Sequence, residues 1–283
     1  MNILQKNSKK VLLLTILFLF AFYFLLPLYW IAISSTKSLS DIFGTFGFWF
    51  AEDFNLLENI RGVLTYNEGI FVRWFINSLI FCGGAAALGS ITSTFAGYAF
   101  TQYEFPARRK LFFLILGGLF IPITALALPI FLVMSELGWV NTYRAFILPS
   151  AATPFGVYFM VSYCKGSIPD NILDAARIDG ASELQVFTKV VFKIITPGFA
   201  TLFLILFVLT WNNYFLPLIV LNQSELYPAT VGLAHWTALA DAGREVLFHL
   251  VVTGSAISII PLILLFLYLQ KFWKKGMTLG SSK

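Results

Sequence analysis

Six long apolar runs alternate with shorter polar segments along the chain. The runs cover about residues 11–33, 74–100, 111–134, 145–164, 199–221 and 251–270, and as drawn none contains Asp, Glu, Lys or Arg. An α-helix needs about 20 such residues to cross a hydrocarbon core. The pattern predicts an all-α, polytopic membrane protein with six transmembrane helices in one domain, 1–283. Two longer polar stretches, 34–73 and 222–250, become loops on one face. A third, 165–198, falls on the other.

Local signals refine several runs. A cleaved signal peptide has an apolar part of about 7–15 residues, so the longer run Val11–Ile33 predicts a retained span, with Tyr29-Trp30 at its interface. The second run carries Gly83, Gly84, Gly89 and Gly97 among alanines, small residues that let helices approach closely. Pro122 and Pro129 in the third run, and Pro149 and Pro154 in the fourth, predict kinks. The fifth run contains Trp211-Asn212-Asn213-Tyr214. Adjacent amides at that depth need partners or water. They fit either interhelical hydrogen bonding or a translocation path.

The loop 165–198 contains two helix starts. Ser167 followed by Asp170 has capping-box spacing, and Pro169 fits a first helical position, predicting a helix from Pro169 to about Ile178. Gly180 supplies a left-handed residue to end it. Ser182 with Gln185 caps a second helix carrying Val186, Val190 and Ile194 at helical spacing, with Phe187 and Val191 beside them, and Pro197-Gly198 is expected to stop it. The small Ala175 and Ala176 allow another surface to approach, with Asp174, Arg177 and Asp179 as rim charges. A docking knob and an ordinary amphipathic hairpin both fit these signals.

Composition agrees with the pattern. The chain is 58% hydrophobic and 12% charged, with a mean hydropathy of +0.82. Soluble domains carry about twice that charge. The net charge of +5 is a matter of sidedness, not of nucleic-acid affinity. Lys and Arg number three in 1–10, three in 101–110, four in 165–198 and four in 271–283, against five in the opposite loops. The basic side is cytoplasmic, so both termini and the loop 165–198 are expected there. Cys82 and Cys164 suggest no disulfide framework, and His235 and His249 share no helix face and supply too few ligands for zinc. The sequence has no G-x-x-x-x-G-K-[ST] phosphate loop and no G-x-S-x-G elbow. Neither cofactor nor enzymatic activity is expected.

Asp174-Ala175-Ala176-Arg177-Ile178-Asp179-Gly180-Ala181 resembles the EAA loop of ABC-importer permeases, in the form found in the carbohydrate, maltose-type, binding-protein-dependent family. Asp174 stands where that family usually has Glu, one methylene longer. Tyr103-Glu104-Phe105-Pro106-Ala107-Arg108-Arg109 resembles the family's second cytoplasmic connection, Trp211 to Pro217 its fifth-helix motif, and Tyr227 to Leu233 its loop facing the binding protein. The basic ending Lys271–Lys283 is also similar. The resemblance implies half of a translocation path for a sugar or related solute, in a prokaryotic cell (inner) membrane. It implies a second, distinct permease, two cytoplasmic P-loop ATPase copies and an extracytoplasmic solute-binding protein. The ATPase-docking residues would be Asp170, Leu173, Asp174, Ala175, Ala176, Arg177, Asp179, Gly180 and Ala181. Trp211, Asn212, Asn213 and Tyr214 would line the path, and Tyr227, Thr230, Gly232, His235 and Trp236 would face the binding protein. A stand-alone secondary transporter or channel is the alternative.

Overall fold

The computed structural model describes residues 2–243 and 247–280, with side chains over 10–169, 171–243 and 247–272. The side chain of Asp170, Arg244, Glu245 and most side chains of the basic ending lie outside the described residues. The fold is all-α, with no strand among the described residues. The chain divides into two compact units, Met1–Val72 with Leu233–Ile260 and Arg73–Gly232 with Pro261–Lys283.

In the first unit, α1 (Asn2–Ser34) presents exposed apolar side chains along nearly its whole described length, as a lipid-facing helix does. The segment after it is less open than its polarity suggests. Lys37, counted with the outer-loop charges, is fully buried, and its ammonium donates to Thr45 Oγ1 and the Phe46 carbonyl, both at 2.8 Å. Asn59 donates to the carbonyls of Ser35 (2.9 Å) and Lys37 (2.8 Å). These bonds tie the segment beyond α1 to α3 (Leu56–Gln102). That helix is interrupted at Tyr66–Gly69, where Asn67, Glu68 and Gly69 all take positive φ. Trp236, on α12 (Ala229–Asp241), is buried against Phe71 and edge-on to Tyr66.

The second unit holds the rest of α3, then α4 (Arg108–Gly118), α5 (Ile123–Glu136), α6 (Tyr143–Ala151), α7 (Pro154–Ser167), α8 (Asp170–Ile178), α9 (Glu183–Gln185), a π-helical turn (Val186–Val191), α10 (Phe192–Trp211) and α11 (Phe215–Val220). α13 (Phe248–Gly280) completes the fold and runs from one unit into the other. Among the described residues, four helices are long and apolar enough to cross a membrane, or up to six if each of two bent pairs is one span. α4 and α5 meet at 104°, and α6 and α7 at 40°.

Prolines explain both breaks, though not as simple kinks. Pro122 is the N-cap of α5 with extended ψ, and Pro154 opens α7, where a missing N–H costs nothing. Thr153 caps α7 by accepting the Gly156 N–H at 3.2 Å. Conversely, Pro197-Gly198 does not stop a helix: Glu183–Trp211 is continuous through both residues. Gly198 is there for space, because a Cβ would come within 2.5 Å of the Tyr163 ring. Gly97 likewise abuts Met160, with a Cβ placed 2.5 Å from its side chain, whereas Gly83 faces open space.

The end of this unit around residues 224–229 is pinned by polar side chains. Asn77, buried, donates to the carbonyls of Glu225 (2.8 Å) and Tyr227 (3.1 Å), while its Oδ1 accepts from the Tyr143 hydroxyl at 2.7 Å. Trp74 Nε1 donates to the Ser224 carbonyl at 2.7 Å, and Ser78 Oγ accepts the Ala229 N–H at 2.7 Å. A loop with few apolar residues is thus held at defined positions.

Two outcomes follow for the detergent-solubilised chain. Gly97→Ala should cost about 1–3 kcal/mol through overpacking while Gly83→Ala stays within about 0.5 kcal/mol, read as shifts in thermal unfolding. Asn77→Ala, which strands two carbonyls and a phenol, should cost about 1–3 kcal/mol, and an equal effect from the exposed Asn212→Ala would contradict the pinning.

Candidate functional site: the hairpin between α7 and α10

The hairpin starts where α7 ends. Ser167 is still helical, so its hydroxyl does not form the expected capping box; Pro169 is the N-cap of α8 and no side chain caps it. α8 is nine residues long, too short to persist alone in water. It is held by its inner face. Leu173 is buried in one cluster with Cys164, Ile168, Val186 and Val191, and Ala176 and Ala181 pack on the same cluster.

The corner is closed by backbone bonds that the sequence anticipated. Gly180 has φ +79°, its N–H donates to the Arg177 carbonyl at 3.0 Å, and the Ala181 N–H donates to the Ala176 carbonyl at 3.1 Å. This pair of bonds is a Schellman closure, which needs a left-handed residue at the Gly180 position. No atom crowds a Cβ there, so glycine is favoured by conformation and not by packing. Ser182 and Gln185 then form a complete capping box, with bonds of 3.4 and 3.1 Å.

Beyond the box the helix takes a π-turn, in which the Phe192 N–H bonds the Phe187 carbonyl. One extra residue in the turn shifts the buried stripe from the expected Val186, Val190, Ile194 to Val186, Val191, Ile195. Phe187 is held between Phe95 (centroids 4.7 Å) and Tyr98 (5.1 Å).

Arg177 differs from its expected role as a rim charge. Its guanidinium forks onto Glu183, Nε to Oε1 at 2.8 Å and Nη2 to Oε2 at 3.3 Å, with Asp174 at 3.5 Å. Tyr103, just after α3, donates its hydroxyl to the same Glu183 at 2.6 Å. The hydrogen bond to Glu183 holds the Arg177 guanidinium above its ordinary pKa. Burial, with the Glu183 bond next, raises the Tyr103 phenol, which remains a donor at neutral pH. Such exposed pairs add only about 0.2–1 kcal/mol, so their effect is to set direction. Glu183 does not stand out in sequence, and although Tyr103 opens the motif of residues 103–109, nothing local shows that the two meet.

The outward face is mixed, with Asn171, Asp174, Arg177 and Asp179 exposed among apolar side chains. Ile178 is 86% exposed and Leu184 66%, with Ile172 and Ala175 also exposed beside them. Asp174 and Asp179 are exposed at the rim.

The other candidate residues are distributed differently from expectation. Trp211 is buried, stacked on Phe207 (5.7 Å) and edge-on to Phe75 (6.2 Å). Asn212 and Asn213 sit at the break between α10 and α11 and serve local backbone: Asn212 donates to the Val208 carbonyl at 2.8 Å, and Asn213 accepts the Leu216 N–H at 3.3 Å. They are not interhelical bonds within a span. Tyr214 is exposed. Among Tyr227, Thr230, Gly232, His235 and Trp236, only His235 is exposed. Gly232 lies under the Trp74 ring, 2.1 Å from where a Cβ would stand, and Trp236 is in the core.

Comparison with known proteins places this geometry. Residues 89–278 match the family described as "Binding-protein-dependent transport system inner membrane component". The chain is 34% identical over 227 residues to the arabinooligosaccharides transport system permease protein AraQ of Halalkalibacterium halodurans, covering 80% of this chain and 79% of that one. It is 31% identical over 284 residues to the lactose transport system permease protein LacG of Rhizobium radiobacter, covering 100% of both. A solved bacterial ABC transporter involved in the import of the acidic polysaccharide alginate shares the fold, with a TM-score of 0.79 at 24% identity over 94% of this chain and 96% of that one. The chain belongs to the binding-protein-dependent transport system inner membrane component family, the permease subunits of ABC importers.

Proposed function

We propose that this permease forms half of the path for a sugar or oligosaccharide, and that its α8 hairpin docks a cytoplasmic P-loop ATPase. The carbohydrate class follows the relatives named for arabinooligosaccharides and lactose. The observation that carries the docking reading is the exposure of the apolar side chains Ile178, Leu184, Ile172 and Ala175 on a polar loop. Burying one such isoleucine against a partner is favourable by about 1.5–3 kcal/mol. Leu173, Ala176 and Ala181 hold the hairpin from within, Arg177 braces it at the surface through Glu183, Gly180 shapes its corner, and Asp174 and Asp179 flank the contact.

The partners in this proposal are a distinct second permease, two ATPase copies and an extracytoplasmic solute-binding protein. Docking drives transport only if the ATPase grips the hairpin differently in two states, since equal binding shifts no equilibrium. The distribution of Lys and Arg supports cytoplasmic termini and a cytoplasmic hairpin in a prokaryotic cell membrane.

Ile178→Asp tests the contact, because an 86% exposed side chain can change without disturbing the fold. Copurification of a P-loop ATPase and solute uptake should both fall about tenfold or more. Lys189→Ala, also exposed, should leave both unchanged. Normal ATPase recovery and normal uptake in Ile178→Asp would remove the docking assignment.

Orientation is tested by single cysteines. An impermeant maleimide should label Leu57→Cys in intact spheroplasts and Lys189→Cys only once the membrane is opened. The native thiols, Cys82 and Cys164, are both buried and leave a low background. Labelling of Lys189→Cys from outside would reverse the topology.

A further inference from the structure

The connection from α3 to α4 forms a basic cavity that the docking proposal does not use. Its volume is about 760 Å³, and four phenylalanines (Phe100, Phe105, Phe112, Phe113) line it together with Arg108, Arg109 and Lys110. Phe100 packs between Phe105 (5.4 Å) and Phe112 (5.6 Å), making an aromatic floor. Arg109 lies over the Phe113 ring at 5.6 Å. Glu104 also lines the cavity, but its carboxylate is ion-paired with Arg108. Arg109 and Lys110 are exposed, and among the described residues neither pairs with a carboxylate. Arg108 lines a second cavity as well, of about 360 Å³, which it shares with Lys165, Thr101 and Gln102.

The two linings ask for different things from one ligand. Unpaired cations on an exposed rim call for an anion, and the guanidinium of Arg109 suits phosphate oxygens. The phenylalanine floor calls for an apolar chain. A free phosphate would satisfy only the first, and a neutral lipid only the second. Exposed Phe113 and Leu114 extend the apolar surface along α4, away from the cations. We propose that this cavity binds an anionic phospholipid, its phosphate against Arg109 and Lys110 and an acyl chain along Phe112 and Phe113. Clustered cations at a membrane surface recruit such lipids electrostatically. The site needs the α3–α4 connection to lie at a membrane surface, whichever surface that is, so it stands apart from the docking assignment.

The test is native mass spectrometry of the full-length chain in detergent, mixed with phosphatidylglycerol or phosphatidylcholine, with and without inorganic phosphate. The wild type should retain phosphatidylglycerol about tenfold better than phosphatidylcholine. Arg109→Glu with Lys110→Glu should abolish the preference, and the milder pair Arg109→Gln with Lys110→Gln should weaken it if the glutamates impair folding. Lys189→Glu, which makes a single charge change of the same sign elsewhere, should leave it intact. Phe113→Ser should weaken retention of phosphatidylglycerol at unchanged net charge. Equal retention of the two lipids by the wild type would overturn the proposal. So would full displacement by inorganic phosphate, which marks a free-anion site. An unchanged preference in the glutamate pair, accompanied by loss of a copurifying ATPase, would assign these cations to an acidic protein surface instead.

Discussion

Burial of Leu173 is the contact on which the rest of the functional geometry depends. A helix of nine residues has little stability of its own. Seated in the cluster with Cys164, Ile168, Val186 and Val191, Leu173 fixes which way α8 faces, and therefore which residues remain outside. The Schellman closure at Gly180 and the Ser182–Gln185 box satisfy the backbone on either side of the turn. Arg177 is then free to fold back onto Glu183 and Tyr103. Its principal cation is paired with Glu183, and the exposed surface sets Ile172, Ala175 and Ile178 among Asn171, Asp174 and Asp179.

Two breaks in the membrane helices are completed by local side chains. Thr153 caps α7, and Asn213 accepts the Leu216 N–H of α11, while Pro122 precedes α5 with no N–H of its own to satisfy. The hydrocarbon core offers no water to take over these groups. This is also why Pro197 does not end α10. Breaking the helix there would strand further carbonyls, whereas one proline removes a single bond. The bilayer thus turns a helix-stopping pair into a packing site, with Gly198 under Tyr163.

What could be read from the chain alone follows the range of the forces concerned. The all-helical membrane class lay in the apolar runs, and the Gly180 corner and the Ser182 box lay in signals a few residues long. Ser167 misled because the same spacing is compatible with a residue still inside the preceding helix, and α7 continues to it. The π-turn moved the buried stripe by one position, which no regular period can anticipate. Trp211 and Trp236 looked like surface or path residues because motif position does not reveal burial. In the structure they fill cores with Phe75 and Phe207, and with Phe71 and Tyr66. Glu183 and Tyr103 lie far apart in sequence, and only the fold brings them together.

The continuity of Glu183–Trp211 changes what a docked hairpin could do. Had Pro197-Gly198 ended a helix, force applied at α8 would have reached a flexible joint before the membrane. Instead the capping box at Ser182 opens a helix of 29 residues, about 43 Å long at 1.5 Å per residue. That length exceeds the hydrocarbon thickness of about 30 Å. A tilt imposed at the hairpin end would therefore appear at the other end, where the helix stops at Trp211 and the chain turns through Asn212, Asn213 and Tyr214. Trp211 is packed and Tyr214 is exposed, so movement there would be felt first by the exposed residues of the break. On the proposed reading, those residues need not bind solute to take part in transport. It is enough that they lie where a rigid helix delivers its displacement.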